Sequence, residues 1–409
     1  MKRDIGYIGA EIELVILNEE GYVVDGFRKI AANLPKKEKG LKHKMLEKSR
    51  IIHDIWESQP EVNVKPFWEM EFNKFHRELI RLLVDLWEAG IEAGYYVCLL
   101  PTPPKGHIDP ILNTFFPRDA ETQALHYHYS KNGGFPDRRS RIPYYNAFVL
   151  TYPILTVATL TSFYFKGKMR KYLGARFHIA TALHPPPYID PKAEINHEYM
   201  LKEIEYMKRV IGCVHPVPEN VRLFDISFLT KEEAYWLIPR KSTVELRSFD
   251  TVPSLLIIEA LWLIIAAIGK KVIKNESKFY KLDREAFMAI WKLRERVIKQ
   301  GFRAKIPKVD PEFLPKINNE PWPKYLYDPE INTVKDAFLW LMEDLKEEFE
   351  DMGYTRGLPR KVISRFTDFI KEGKTPSERI MSKMKNIEDL TKILLEACKK
   401  AISDPLYIP

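Results

Sequence analysis

The chain has 409 residues, 45% hydrophobic, 12% aromatic and 29% charged, a globular composition with enough apolar material for a large core. Its 64 basic and 56 acidic residues leave a net charge of +8. Over this length that excess fits a solvated surface or a nucleotide cleft better than a nucleic-acid binder, and no aromatic-interleaved basic repeat argues otherwise. Three cysteines, Cys98, Cys213 and Cys398, are odd in number and lack a CxxC pair. They argue against a disulfide framework or zinc ribbon and for buried, reduced thiols in a cytoplasmic protein. The opening MKRDIGYIGAEIEL has no apolar stretch long enough for a signal peptide.

In chain order, Ile8, Ala10, Ile12 and Leu14 alternate with Gly9, Glu11, Glu13 and Val15, which predicts a strand. Asn18-Glu-Glu-Gly21 then predicts a hairpin turn into Tyr22-Val-Val. The charged run from Lys36 to Lys48 reads as a connector, and Pro60 to Val64 as a short extended stretch. Phe72, Phe75, Leu79, Leu82, Leu83 and Leu86 recur at helical spacing, closed by Gly90 or Gly94. Val97 to Leu100 predicts a buried strand stopped by Pro101-Thr-Pro-Pro104, and Ala124 to Tyr129 and Thr243 to Phe249 predict two more. Two apolar segments, Tyr144 to Phe165 and Ser254 to Ile268, are expected as core helices. The first holds Pro153 and many hydroxyls and the second is short and broken by Glu259, so neither supplies the roughly 20 apolar residues of a membrane span. Prolines 307, 311, 315, 321, 323 and 329 predict an extended wrap over 302–332. Helices are expected over Lys335–Glu350, Pro359–Lys371 and Pro376–Ile402, the last opened by the capping box Thr375-Pro-Ser-Glu378. The pattern is α+β, with strands in the first 250 residues and a helical tail. No GxGxxG or GxxxxGK[ST] supports a dinucleotide fold or a P-loop.

The unusual feature is polar residues on strand faces. Side chains at i and i+2 of a strand point the same way, so Glu11 pairs with Glu13, His126 with His128, and Glu245 with Arg247. If the three faces converge, carboxylates, imidazole and guanidinium meet. Carboxylates at that density repel and raise one another's pKa, a conflict that a divalent cation resolves. Magnesium takes a few carboxylates with water and substrate phosphates, whereas zinc wants more histidine or cysteine. Magnesium with a nucleotide is therefore expected. Each pair alone has an ordinary reading: an edge-strand solvent face, a hydrogen-bonded HxH, a structural ion pair on a sheet. Repetition on three strands is what points to a site.

These residues carry a family resemblance. Gly9-Ala-Glu-Ile-Glu13 resembles the GxExE strand that opens glutamate–cysteine ligases and related carboxylate–amine ligases. Asp54, followed seven residues later by Glu61, resembles their second acidic element, and Leu125-His-Tyr-His128 their HxH strand. Pro153-Ile-Leu, Thr159-Leu-Thr-Ser-Phe and Gly167 are similar to the central helix and its turn, with Arg176 where the family has an arginine. Thr243-Val-Glu-Leu-Arg-Ser-Phe-Asp250 resembles the T-V-E-x-R-x-x-D strand, the most specific element. The resemblance covers 5–270. It departs at Phe163-Tyr-Phe-Lys-Gly, which replaces a Ser-Pro turn, and is loose at Tyr172-Leu-Gly-Ala-Arg176.

The resemblance implies an antiparallel sheet of glutamine synthetase-like type with flanking helices. The chain is expected to divide into a catalytic domain, 1–275, and a helical C-terminal extension, 276–409, packed on it, which the resemblance leaves unassigned. The resemblance implies an ATP-dependent ligase in which a carboxylate, expected to be the side chain of glutamate, becomes an acyl phosphate and is attacked by an amine. Glu11, Glu13, Asp54, Glu61, His126 and Glu245 would hold two or three Mg2+ ions. Arg247 would stabilise the transferring phosphoryl, since a planar fork suits phosphate. Arg176 would bind a phosphate or a second carboxylate, and His128 would contact a phosphate. A homo-oligomer fits; a nucleic-acid or membrane partner does not. The alternatives are a guanidino-kinase-type phosphotransferase on the same fold and a catalytically inactive basic binding protein.

Overall fold

The computed structural model describes residues 4–35, 50–53, 57–109, 123–137, 139–165, 168–174, 188–190, 199, 202–203 and 243–409. The chain opens with β1 (Gly6–Glu13), β2 (Val15–Leu17), α1 (Phe27–Asn33), β3 (Ile51–His53), β4 (Pro60–Trp68), α2 (Phe72–Glu92), β5 (Tyr96–Cys98) and β6 (Ala124–Lys131). α3 (Ile142–Thr156) leads to a short hairpin of β7 (Tyr164–Phe165) and β8 (Lys168–Met169); β9 (Val244–Asp250) and α4 (Leu255–Asn275) follow. The rest is α5 (Arg284–Gln300), a hairpin of β10 (Lys316–Ile317) and β11 (Glu320–Pro321), and α6 (Val334–Asp344), α7 (Lys346–Asp351), α8 (Gly357–Glu372), α9 (Pro376–Met381) and α10 (Asp389–Ser403).

The main sheet has the order β3-β4-β1-β6-β9, with every neighbour antiparallel. Period-two alternation sends Ile8, Ala10 and Ile12, Val62 and Val64, Leu125, Tyr127 and Tyr129, and Val244 and Leu246 into the core. α2, α3 and α4 pack behind that face. Trp262 of α4 donates from its indole to the Ile8 carbonyl at 3.2 Å, and Tyr127 donates its hydroxyl to the Ile258 carbonyl at 2.6 Å. Phe75 of α2 stacks on Trp262 with ring centroids 4.9 Å apart. α4 is buried on nearly every side from Leu255 to Gly269, which is why its sequence shows little amphipathic contrast. Ser254 caps it, accepting from the Ile257 amide at 3.3 Å. Among the described residues no helix is long and apolar enough to cross a membrane.

Two bulges interrupt the pairing. On β4, Lys65 and Pro66 oppose the single residue Gly9, and on β9, Arg247 and Ser248 oppose the single residue His126. Proline, which cannot donate to a ladder, is tolerated at such a point. A Cβ on Gly9 would lie 3.3 Å from the Val64 carbonyl, so glycine suits this close approach.

Several sequence expectations are corrected. The first strand breaks at Leu14, and β2 leaves the main sheet to pair with β5 in a separate ribbon. The helix expected over Lys335–Glu350 divides at Leu345 into α6 and α7. The helix expected over Pro376–Ile402 stops at Met381 and restarts at Asp389. There Asp389 accepts from the Lys385 and Asn386 amides at 2.9 and 3.2 Å, and Asn386 accepts from the Asp389 amide at 3.1 Å. These local side-chain bonds compete with the helical ladder. The proline-rich 302–332 stretch is extended apart from short 3-10 turns and the β10–β11 hairpin. The charged connector at 36–48 lies outside the described residues. In the tail, α5 packs on α3, α8 on α4, and α10 against α2 and β5.

Candidate active site

The sheet face opposite the helices gathers the paired ionisable residues. In register, Glu13 lies beside Glu61; Glu11 lies between Asn63 and His126; and His128 lies beside Glu245. Directly opposed residues on antiparallel strands have Cβ atoms about 5 Å apart, so four adjacent strands each present acidic or imidazole groups to one patch. The expected convergence of Glu11, Glu13, His126, His128, Glu245 and Arg247 is present, and Glu61 joins it. Asp54 and Arg176 lie outside the described residues.

Glu11, His128 and Glu245 each contribute one ligand-type atom within 4.8 Å of the others. His128 Nε2 is 3.2 Å from Glu11 Oε1 and 4.0 Å from Glu245 Oε1. Its Nδ1 is 3.2 Å from Thr243 Oγ1. With Nδ1–H donating to Thr243, the Nε2 lone pair faces the cluster. His126 sits within 3.6–3.7 Å of oxygens of Glu11, Glu13 and Glu245. Burial, followed by the Arg247 charge, holds its pKa down at about 4 against the pull of Glu11 and Glu245. At neutral pH the ring is thus neutral and has a free lone pair. Arg247 Nη1 donates to Glu245 Oε1 at 2.9 Å. Glu13 accepts from the Ala124 amide at 2.7 Å and Glu61 from the Asn63 side chain at 2.7 Å, which fixes both carboxylates.

Among the described residues, three buried atoms here have no hydrogen-bond partner: His126 Nδ1, His128 Nε2 and Glu245 Oε2. Buried polar atoms are nearly always satisfied. A divalent cation held among these three and the adjacent carboxylates of Glu11 and Glu13 would satisfy the two imidazole nitrogens and one carboxylate oxygen.

Roles for three residues escaped the sequence reading. Asn63 orients Glu61 and shares a row with Glu11; its i, i+2 spacing from Glu61 was the available signal. Thr243 meets Nδ1 of His128 and anchors its ring, a cross-strand relation with no local mark. Asp250 accepts from the Thr161 and Ser162 amides, each at 3.2 Å, and from the Ser162 hydroxyl at 2.9 Å. It thereby ties the loop after α3 to the end of β9.

No family model matches the sequence, and no curated protein matches it. The structure is similar to a bifunctional glutathione synthetase from Pasteurella multocida, at 13% identity and a TM-score of 0.54, covering 98% of this chain and 53% of that one. The chain therefore spans about half the length of that protein. It is also similar to a glutamate–cysteine ligase from Francisella tularensis solved in complex with AMP, at 11% identity and a TM-score of 0.61, covering 100% of this chain and 91% of that one. Identity this low speaks to the path of the chain alone. Together with the sheet order and its ionisable face, these likenesses show that the chain has a glutamate–cysteine ligase-like fold.

Proposed function

We propose that this protein is an ATP-dependent, magnesium-requiring ligase that joins a carboxylate to an amine, with the side-chain carboxylate of glutamate as the acyl donor. The observation that carries the reading is the acidic and imidazole face built across β4, β1, β6 and β9, with its three unpartnered buried atoms. The fold likeness to two ligases supports it.

Glu11, His128 and Glu245 would form the inner ligand group, with Glu13, Glu61, His126 and Asp54 completing the sites for two or three ions. Bound magnesium would supply neutralisation of the ATP phosphate oxygens. A substrate carboxylate oxygen attacks the γ-phosphorus, ADP leaves, and an amine displaces phosphate from the acyl phosphate. Phosphoryl transfer of this kind depends on positioning and charge more than on covalent help from the protein. Arg247, held at the β9 bulge by Glu245, would stabilise charge on the transferring phosphoryl. Arg176 is assigned a phosphate or the second substrate carboxylate. Thr243, Asn63 and the Ala124 amide orient the ligand side chains. Residues 1–275 would be the catalytic domain of glutamine synthetase-like type, with 276–409 as its helical support.

The test is phosphate release from ATP with magnesium, glutamate and a panel of amines. Stoichiometric ADP and inorganic phosphate with one amine supports the ligase. ADP without inorganic phosphate would indicate a phosphotransferase, and absence of magnesium-dependent nucleotide binding would sink the enzymatic reading.

A further inference from the structure

Away from the sheet face, β5 and α10 meet in a small apolar cluster separate from the main core. Cys98 of β5 and Cys398 of α10 both lie inside it, 0% and 1% exposed. Both belong to this one small cluster, where α10 packs on β5 beside the buried phenol of Tyr164. Two thiols placed in one small cluster by distant parts of the sequence are not demanded by packing, because any small apolar residue fills such a position. Both are free thiols in this structure.

The docking of α10 makes the pair conditional. Leu390, Leu394 and Cys398 form its apolar stripe, and its ion pair Lys400–Glu396, at 2.9 Å, lies within the helix. A helix of 15 residues held by one apolar stripe opens at lower cost than a strand in the middle of a sheet.

We propose that Cys98 and Cys398 are a redox modification site, which a low-molecular-weight disulfide converts into one protein disulfide that ties α10 to β5. One cysteine thiolate attacks the oxidant's S–S bond and expels a thiolate. The other cysteine thiolate then attacks the protein sulfur of the mixed disulfide, forms the Cys98–Cys398 bond and expels the second thiolate. Two protons pass from the cysteines to the two leaving thiolates, and the oxidant gains two electrons. Burial, reinforced by the Cys398 thiol, pushes the Cys98 thiol well up, so exchange proceeds through openings of α10 and quickens as pH rises. This site is independent of the ligase reading.

The test uses the full chain carrying Cys213→Ala, incubated with oxidised glutathione until the thiol titre is constant, then titrated in denaturant. Free thiols should fall from the remaining two to none, and non-reducing peptide mapping should find the Cys98–Cys398 link. The thermal midpoint should rise by several degrees, since closing a long loop restricts the unfolded chain; dithiothreitol should reverse the rise, and adding Cys398→Ala should abolish it. Two thiols that still titrate, or separate glutathione adducts on each cysteine, overturn the proposal. If Cys213→Ala misfolds, Cys213→Ser serves in its place with the same expected titres.

Discussion

Glu245→Gln removes one charge from the sheet face while keeping the side chain's shape. Glu245 is fully buried, with Arg247 at 2.9 Å and a ligand-type oxygen of Glu11 within 4.8 Å. Two carboxylates at that separation repel by roughly 3.5 kcal/mol at an effective dielectric of about 20. Arg247 offsets part of this, but its side chain is 34% exposed, and solvent screening reduces the pair's worth to about 1 kcal/mol. In metal-free buffer the variant should therefore be more stable by about 2 kcal/mol, with a thermal midpoint a few degrees higher. Magnesium-dependent ATP binding should be lost. Calorimetry in chelator gives the first quantity and an ATP titration with magnesium the second. A midpoint several degrees lower, with nucleotide binding intact, would mean that Glu245 belongs to a structural ion pair and that the face is not a cation site.

Lys270→Met isolates Glu69, which is fully buried and accepts from the Gly6 amide at 2.9 Å and from Lys270 at 2.7 Å. Leaving that charge unpaired should cost about 3–5 kcal/mol at neutral pH, read from urea unfolding. Burial already raises the Glu69 pKa, with Lys270 partly opposing it. A carboxyl whose folded pKa lies above its unfolded value favours folding at low pH and loses that contribution as pH rises through the folded pKa. The variant's deficit should shrink on acidification, and a deficit independent of pH would contradict the assignment. Ser254→Ala removes both the cap of α4 and the hydroxyl that donates to the Tyr407 carbonyl at 2.7 Å. It should cost about 1 kcal/mol and speed amide exchange in the last residues of the chain; unchanged exchange there would show that the Tyr407 bond does not hold the terminus.

Strand alternation made Glu11 with Glu13, His126 with His128 and Glu245 with Arg247 visible, because period two is local and needs no partner. The order β4-β1-β6-β9 is not local, so the neighbours Glu61–Glu13, Glu11–His126 and His128–Glu245 emerge only from the pairing. For the same reason spacing alone does not separate the roles of His126 and His128, which share one strand face. The structure puts His128 in the tight three-residue group and His126 among three carboxylates. The single long C-terminal helix was misread because periodicity continued through 382–388 while Asp389 and Asn386 captured the backbone there.

The bulge on β9 acts as a shift of frame. Val244 and Leu246 point into the core at even positions, yet after the extra residue Phe249, at an odd position, does so too, and Asp250 falls level with Ala124. Removing one residue at 247–248 would exchange the destinations of Phe249 and Asp250, placing a carboxylate among the helices and releasing the loop at Thr161–Ser162. The strand should therefore tolerate substitution far better than a change in length. It follows that the distances Glu-x-Arg and Arg-x-x-Asp, one even and one odd, are a record of three-dimensional pairing written in spacing alone. In a chain whose sequence matches no family model, that arithmetic states where each face of the strand must point, whatever residues lie between.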